Sequence, residues 1–239
     1  MSAPPLPAAG VCLGHVVAVL RGSAQPYTRP GSFSAIAKFP VTGAVAVGPL
    51  GLAGDEQGDP RVHGGPDKAV HHYATEHYAA WRDELGALAV LDAPGAFGEN
   101  LATQGMTEAS LCLGDQVRVG SVLLEVSQSR QPCWKLNDRF DVPDMARRVQ
   151  QTGRTGWYYR VLESGTLQAG DSLMLVNRRW PQWTLARVID VLYHQGFDAD
   201  VLHALAALPL TPSWRRLVEG RLARGQVEDW RPRMDDTPG

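Results

Sequence analysis

Leu113-Gly114-Asp115-Gln116-Val117-Arg118-Val119-Gly120-Ser121-Val122-Leu123-Leu124-Glu125-Val126 reads as a β-hairpin. Two turn signals, Leu113-Gly114-Asp115 and Val119-Gly120-Ser121, bracket the strand Gln116–Val119, and Leu123–Val126 returns as its mate. The same pattern of short apolar or β-branched runs recurs on both sides. Upstream lie Val16–Leu20, Ala35–Phe39, Ala44–Val47 and Ala69–Tyr73; downstream lie Trp157–Leu162 and Leu173–Val176. Most are bounded by Gly, Pro, Asp or Ser, which predicts many short strands joined by tight turns. Glycine (25) and proline (17) supply that punctuation. Two helices are expected to interrupt: Glu76–Leu85, with Thr75 as a cap, and Val142–Gln151, with Pro143 near its first turn.

After about Asn177 the apolar period changes from two to about 3.6. Leu185, Val188, Ile189 and Leu192 form one stripe behind a Thr184 cap, and Val201, Leu202, Leu205 and Leu208 a second behind Asp198. Trp214, Leu217, Val218 and Leu222 form a third behind Ser213. The expected organisation is therefore a mainly β domain over residues 1–176 and a small three-helix domain over 177–239. That second part carries 9 arginines and no lysine against 8 acids, too balanced a charge for a helix-turn-helix DNA binder.

The whole chain of 239 residues has a net charge of −2, so neither composition nor charge suggests a nucleic-acid polymer as partner. The prolines Pro4, Pro5 and Pro7 stand where a secretory leader would carry basic residues, and a frayed start into a first strand is expected instead. Beyond that start the longest uncharged stretch, Phe39–Gly54, is too short and too rich in Gly and Pro to span a bilayer. No membrane association and a cytoplasmic location are expected. Three cysteines, Cys12, Cys112 and Cys133, make neither a disulfide framework nor a four-cysteine metal site. Cys12 and Cys112, in apolar surroundings, read as buried structural residues.

Polar and glycine signals concentrate in four segments: Ser34–Lys38, Gly51–Glu56 running on to His63–Val70, Phe97–Leu101, and Ser127–Leu136. Cys133 lies between Arg130 and Lys135, and fixed cations favour the thiolate, the form that binds metals and attacks electrophiles. Gly64 and Gly65 let backbone N–H groups approach a ligand, Lys68 suits a phosphate, and Asp67 and Asn100 can bond a heterocycle. His63, His71, His72 and His77 invite a zinc reading, but their spacing is wrong for one helical face, and adjacent His71 and His72 on a strand point to opposite faces. A cysteine–histidine nucleophile pair stays open on spacing alone. No G-x-G-x-x-G or P-loop is present, so redox chemistry here would draw its electrons from another protein. The chain's three lysines, Lys38, Lys68 and Lys135, all fall in or beside these segments.

The succession G-L-x-G-D-E, H-G-G-P-D-K-A-V, F-G-E-N-L, G-D-x-x-x-V-G and S-Q-x-R-x-P-C-x-K-L resembles the MOSC-domain family, most closely its YiiM-type subgroup. The three C-terminal helices, with Pro212-Ser213-Trp214 and Val227-Glu228-Asp229, resemble that subgroup's appended domain. The resemblance covers about Gly14 to Met234. It implies a β-barrel-like core that binds a molybdenum cofactor and reduces N-hydroxylated purines or amidoximes to amines, in detoxification, with a flavoprotein reductase as electron donor and a monomer or homodimer as the working unit. It carries Cys133 over as the molybdenum ligand. Lys38, Lys68 and Arg130 are expected at phosphate or pterin oxygens, Asp67 and Asn100 at pterin edges, and His63 as pocket wall or proton donor. Trp134 stands where the resemblance leads one to expect a tyrosine. A non-catalytic cofactor-binding module and a sulfur carrier with a persulfide on Cys133 remain the rival readings.

Overall fold

A computed structural model describes residues 10–58 and 64–235. His63 and the expected frayed start lie outside the described residues. Seven strands carry the core: β1 (Cys12–Arg21), β2 (Val70–Ala74), β3 (Leu101–Gln104), β4 (Gln116–Val119), β5 (Val122–Ser129), β6 (Trp157–Glu163) and β7 (Ser172–Asn177). Their order is β7-β4-β5-β6-β2-β3-β1, and a further β1–β7 pairing closes the sheet into a barrel. Strand β1 serves both neighbours by bulging between Cys12 and Gly14 and again between Val16 and Ala18. All barrel pairings are antiparallel except β2–β3, and that parallel pair needs a crossover. Helix α1 (Glu76–Leu85) provides it.

Period-two patterning decides what fills the barrel. Val16, Val19, Val70, Val117, Val119, Leu124, Val126, Trp157, Tyr159, Leu173 and Leu175 point inward into one cluster. On β6 the intervening Tyr158 and Arg160 point outward, and on β2 His71 does the same. Inward-facing His72 stacks on Trp157 with ring centroids 3.9 Å apart and bonds the Thr103 hydroxyl. The expected divergence of His71 and His72 therefore holds. The β4–β5 hairpin pairs as expected, Val122 opposite Val119 and Leu124 opposite Val117.

Helices α2 (Lys135–Phe140) and α3 (Met145–Thr152) pack with α1 against Tyr73 and Phe97. Then come α4 (Leu185–Ile189), continued by a π turn through His194, α5 (Ala199–Ala206), α6 (Pro212–Arg224) and α7 (Arg231–Asp235). Thr184 and Asp198 cap α4 and α5 as expected, each accepting from a backbone N–H at 3.1 Å. For α6 the cap is Thr211 rather than Ser213, because Pro212 takes the first helical position and needs no acceptor. Thr75 is no cap either: its hydroxyl donates to the Thr103 carbonyl at 2.8 Å. Among the described residues no helix is long and apolar enough to cross a membrane.

Two further expectations give way. Ala35–Phe39 is not one strand; short bridges at Phe33–Ser34 and Phe39–Pro40 flank a loop. The loop packs so tightly that a Cβ on Gly22 would come within 2.6 Å of the Ala37 carbonyl oxygen, which the small side chains at 34, 35 and 37 accommodate. Cys12 is exposed, because Leu13 takes the inward position at the start of β1; Cys112 is buried as read.

Candidate functional site

A cavity lies on the outer wall of the barrel, against β2, β6 and the segment leaving β5. Four loops complete it, at Ser34–Lys38, Asp55–Gly58, Phe97–Asn100 and Arg130–Lys135. Strand β5 delivers the chemistry. It ends at Ser129, Arg130 N donates to the Gly156 carbonyl at 3.0 Å, and Cys133 follows just before α2, where its carbonyl accepts from Leu136 N at 3.0 Å. Helix α7 braces this turn from the far end of the chain: Trp134 N donates to the Arg233 carbonyl at 3.1 Å, and the Asn137 amide donates to the Met234 carbonyl at 3.0 Å.

Lys38, Lys68, Asn100, Arg130 and Cys133 all line this cavity, and so does Lys135, which brings every lysine of the chain into one wall. Burial lowers the pKa of Lys68, whose ammonium lies 6.0 Å from the Tyr158 ring centroid. The Lys135 ammonium donates to the Phe33 carbonyl at 2.6 Å. Arg130 is 7% exposed, and its Nη1 has no partner among the described residues.

Lys38 and Asn100 are held more tightly than their expected roles require. Lys38 is ion-paired with Asp55, and the Asp55 carboxylate also accepts from Gly22 N at 2.8 Å and Asn100 Nδ2 at 2.9 Å. Asn100 Nδ2 donates in addition to the Leu20 carbonyl at 3.2 Å, while its Oδ1 accepts from His71 N at 3.0 Å. The two residues thus build the wall, and the Asn100 amide protons are both engaged.

Asp67 is not among the residues that line the cavity: its carboxylate pairs with Arg160 at 2.8 Å on the outer face of β6, and Arg160 also binds Glu125 at 2.7 Å. The partner lies 93 positions away in the chain, so the adjacency of Asp67 to Lys68 gave no sign of the pairing. Sequence reasoning gives no cofactor-binding role to Asp55, His71 or Tyr158, and all three line the cavity. Alternation along β2 and β6 was the available signal, since it places His71 and Tyr158 as direct partners on the outer face.

The Phe97-Gly98-Glu99-Asn100 turn is fixed by a fully buried carboxylate: Glu99 accepts from Gly95 N at 2.7 Å, Phe97 N at 3.0 Å and the Tyr78 hydroxyl at 2.6 Å. Gly98 has φ 73°, and a Cβ there would meet Ile36 Cγ1 at 2.9 Å in the cavity wall. Gly98→Ala is accordingly expected to cost about 2 kcal/mol from backbone strain and wall displacement, a fall in Tm of roughly 4–8 °C. Thermal unfolding followed by circular dichroism checks it.

Comparison with known proteins bears on what this geometry serves. The MOSC domain model matches residues 59–174, and the YiiM-like, 3-alpha helix domain model matches 183–225. The chain is 43% identical over 221 residues to Protein YiiM of Escherichia coli (strain K12), covering 92% of this chain and 98% of that one. It is also 39% identical over 190 residues to a protein named Reductase from Gibberella moniliformis, covering 79% of this chain but 34% of the fungal one. The crystal structure of YiiM from Escherichia coli matches with a TM-score of 0.78 and 36% identity, over 92% of this chain and 98% of the other.

Proposed function

Because the chain belongs to the MOSC-domain family and carries the YiiM-like three-helix domain, we propose that it is a molybdenum cofactor-dependent reductase of N-hydroxylated compounds. The reaction takes R–NHOH with two electrons and two protons to R–NH2 and water. The observation that carries the reading is the one cavity that gathers Cys133, Arg130 and all three lysines.

The residues present fit the cofactor. An anionic, oxygen-rich group suits a wall of buried cations, and the unpartnered Arg130 Nη1 is a donor left for such a ligand. A single soft sulfur suits a metal that arrives with its own dithiolene. Among the described residues no group of three His, Cys, Asp or Glu side chains is placed to hold a metal by itself, so Cys133 would complete a set of donors that the cofactor brings. When bound, the cofactor supplies the two-electron chemistry. Cys133 fixes it to the protein, Lys68, Lys135 and Arg130 hold its phosphate and pterin oxygens, and the Lys38–Asp55–Asn100 group keeps the wall in shape and water out. His63 remains the proposed proton donor on its sequence position. A flavoprotein reductase provides electrons in the cytoplasm. The fungal relative's name is in keeping with oxidoreductase chemistry.

The test is metal and pterin analysis of the purified protein beside an N-hydroxylaminopurine reduction assay with a flavoprotein donor. Turnover that scales with molybdenum content is the expected result. Full activity in a molybdenum-free preparation would overturn the reading.

A further inference from the structure

Two buried atoms on residues that line the cavity have no partner among the described residues, and they have opposite hydrogen-bonding polarity. His71 is 5% exposed and Arg130 7%. One ring nitrogen of His71 is engaged with the Gly98 carbonyl, while Nε2 has no partner among the described residues, and the same holds for Arg130 Nη1. Tyr158 connects the two. It sits directly opposite His71 on the neighbouring strand, with its ring centroid 4.8 Å from the imidazole, and its oxygen accepts from the Arg130 guanidinium. Buried polar atoms are rarely left unsatisfied.

We propose that His71 Nε2 and Arg130 Nη1 form an acceptor–donor pair that reads a cyclic-amide edge, an N–H beside a C=O, on the heterocycle bound in the Cys133 cavity. The chemistry of the atoms selects the ligand class. Burial, reinforced by the neighbouring Arg130 charge, holds the His71 pKa well below its ordinary value, so the ring is neutral and Nε2 presents a lone pair. A fully ionised phosphate monoester offers only acceptors and leaves Nε2 unsatisfied; an ammonium group offers only donors and leaves Arg130 unsatisfied. A cyclic amide satisfies both at once. The edge could come from the pterin of the cofactor or from an oxopurine-type substrate, and the inference rests on the functional reading above only in placing a heterocycle there.

The experiment compares wild type with His71→Phe, which keeps a flat ring without an acceptor, and His71→Gln, which restores an acceptor. Circular dichroism melts establish that each folds. Pterin content of the purified proteins, and fluorescence titration of cofactor-free protein with pterin-6-carboxylate, report on the cofactor source. The KM for an N-hydroxylated oxopurine reports on the substrate source. His71→Phe is expected to lose about tenfold or more in one of these readouts, about 1.4 kcal/mol, and His71→Gln to recover most of it, with inorganic phosphate affinity equal in all three. Loss confined to the pterin readouts assigns the edge to the cofactor; loss confined to KM assigns it to the substrate. Unchanged values in His71→Phe, or equal losses in both variants, overturn the pair. Wild type that binds pterin-6-carboxylate but holds no molybdenum sinks the reductase reading while leaving the pair standing.

Discussion

Cys133→Ser is expected to strip the protein of molybdenum and of N-hydroxy reduction while leaving its melting temperature within about 3 °C of wild type. The two halves of that expectation have separate causes. Sulfur to oxygen at this half-buried position removes little volume, and the backbone bonds that shape the turn, Trp134 N to Arg233 O and Leu136 N to Cys133 O, do not involve the side chain. The ligand, however, changes from a soft sulfur to a hard alcohol oxygen, a poor match for a metal held by sulfur donors. Disturbing groups that merely support a metal ligand costs about 10–100-fold in affinity or activity, so replacing the ligand itself should exceed about a hundredfold. The other cysteines are internal controls. Burial pushes the Cys112 thiol up to about 12, which keeps it out of thiolate chemistry at neutral pH, and Cys12 is exposed and outside the cavity. Serine at either should retain metal and turnover. Metal analysis and single-turnover assays on the three variants decide the matter, and a Cys133→Ser protein with normal molybdenum and activity would sink the proposal.

What could be read from sequence and what could not follows from the range of the interactions involved. Strands β4 and β5 were legible because their turn glycines and period-two alternation are local, and Thr184 and Asp198 were legible as caps for the same reason. The barrel's closure, β1 against β7, is a pairing of Cys12 with Met174 and was not legible in periodicity; it entered only through family resemblance. Helices α2 and α7 escaped notice because six and five residues are too few to display a 3.6-residue period. Ala35–Phe39 failed for a different reason: its small apolar residues suit a strand, but here they let the chain pack against Gly22 while Lys38 turns in to meet Asp55. Site residues divided likewise. The motif segments located the cavity, whereas the partners that hold the side chains, Arg160 for Asp67 and Asp55 for Lys38, are tertiary.

Asp55→Asn is expected to be the most damaging single change in the cavity wall, for a reason that the change of one oxygen to nitrogen conceals. Every group facing the carboxylate is a donor: the Lys38 ammonium, Asn100 Nδ2 and Gly22 N. A carboxylate accepts from all three. A carboxamide has one acceptor oxygen and must turn an NH2 toward a donor, and it leaves the Lys38 charge without a counterion where the two side chains are only 7% and 2% exposed. Breaking a buried pair from one side costs about 3–5 kcal/mol, which for a chain of this size is a fall in Tm on the order of 10 °C. The pH dependence carries a sign. Burial lowers the Lys38 pKa, and Asp55 is the main influence holding it up, so its loss lowers the folded-state pKa further. The unfolded chain then binds the proton more tightly than the folded one. The penalty is therefore complete below the folded-state pKa and fades as pH rises through that value toward the ordinary lysine range. Melts of Asp55→Asn should accordingly lag wild type most near pH 6 and least near pH 9.5. Lys38→Met in the same background removes the orphaned charge and should recover at least about half of the loss, because deleting both partners of a buried pair costs far less than deleting one. A deficit that is flat with pH, or a double variant no more stable than Asp55→Asn alone, would show that Asp55 acts through packing and not through charge.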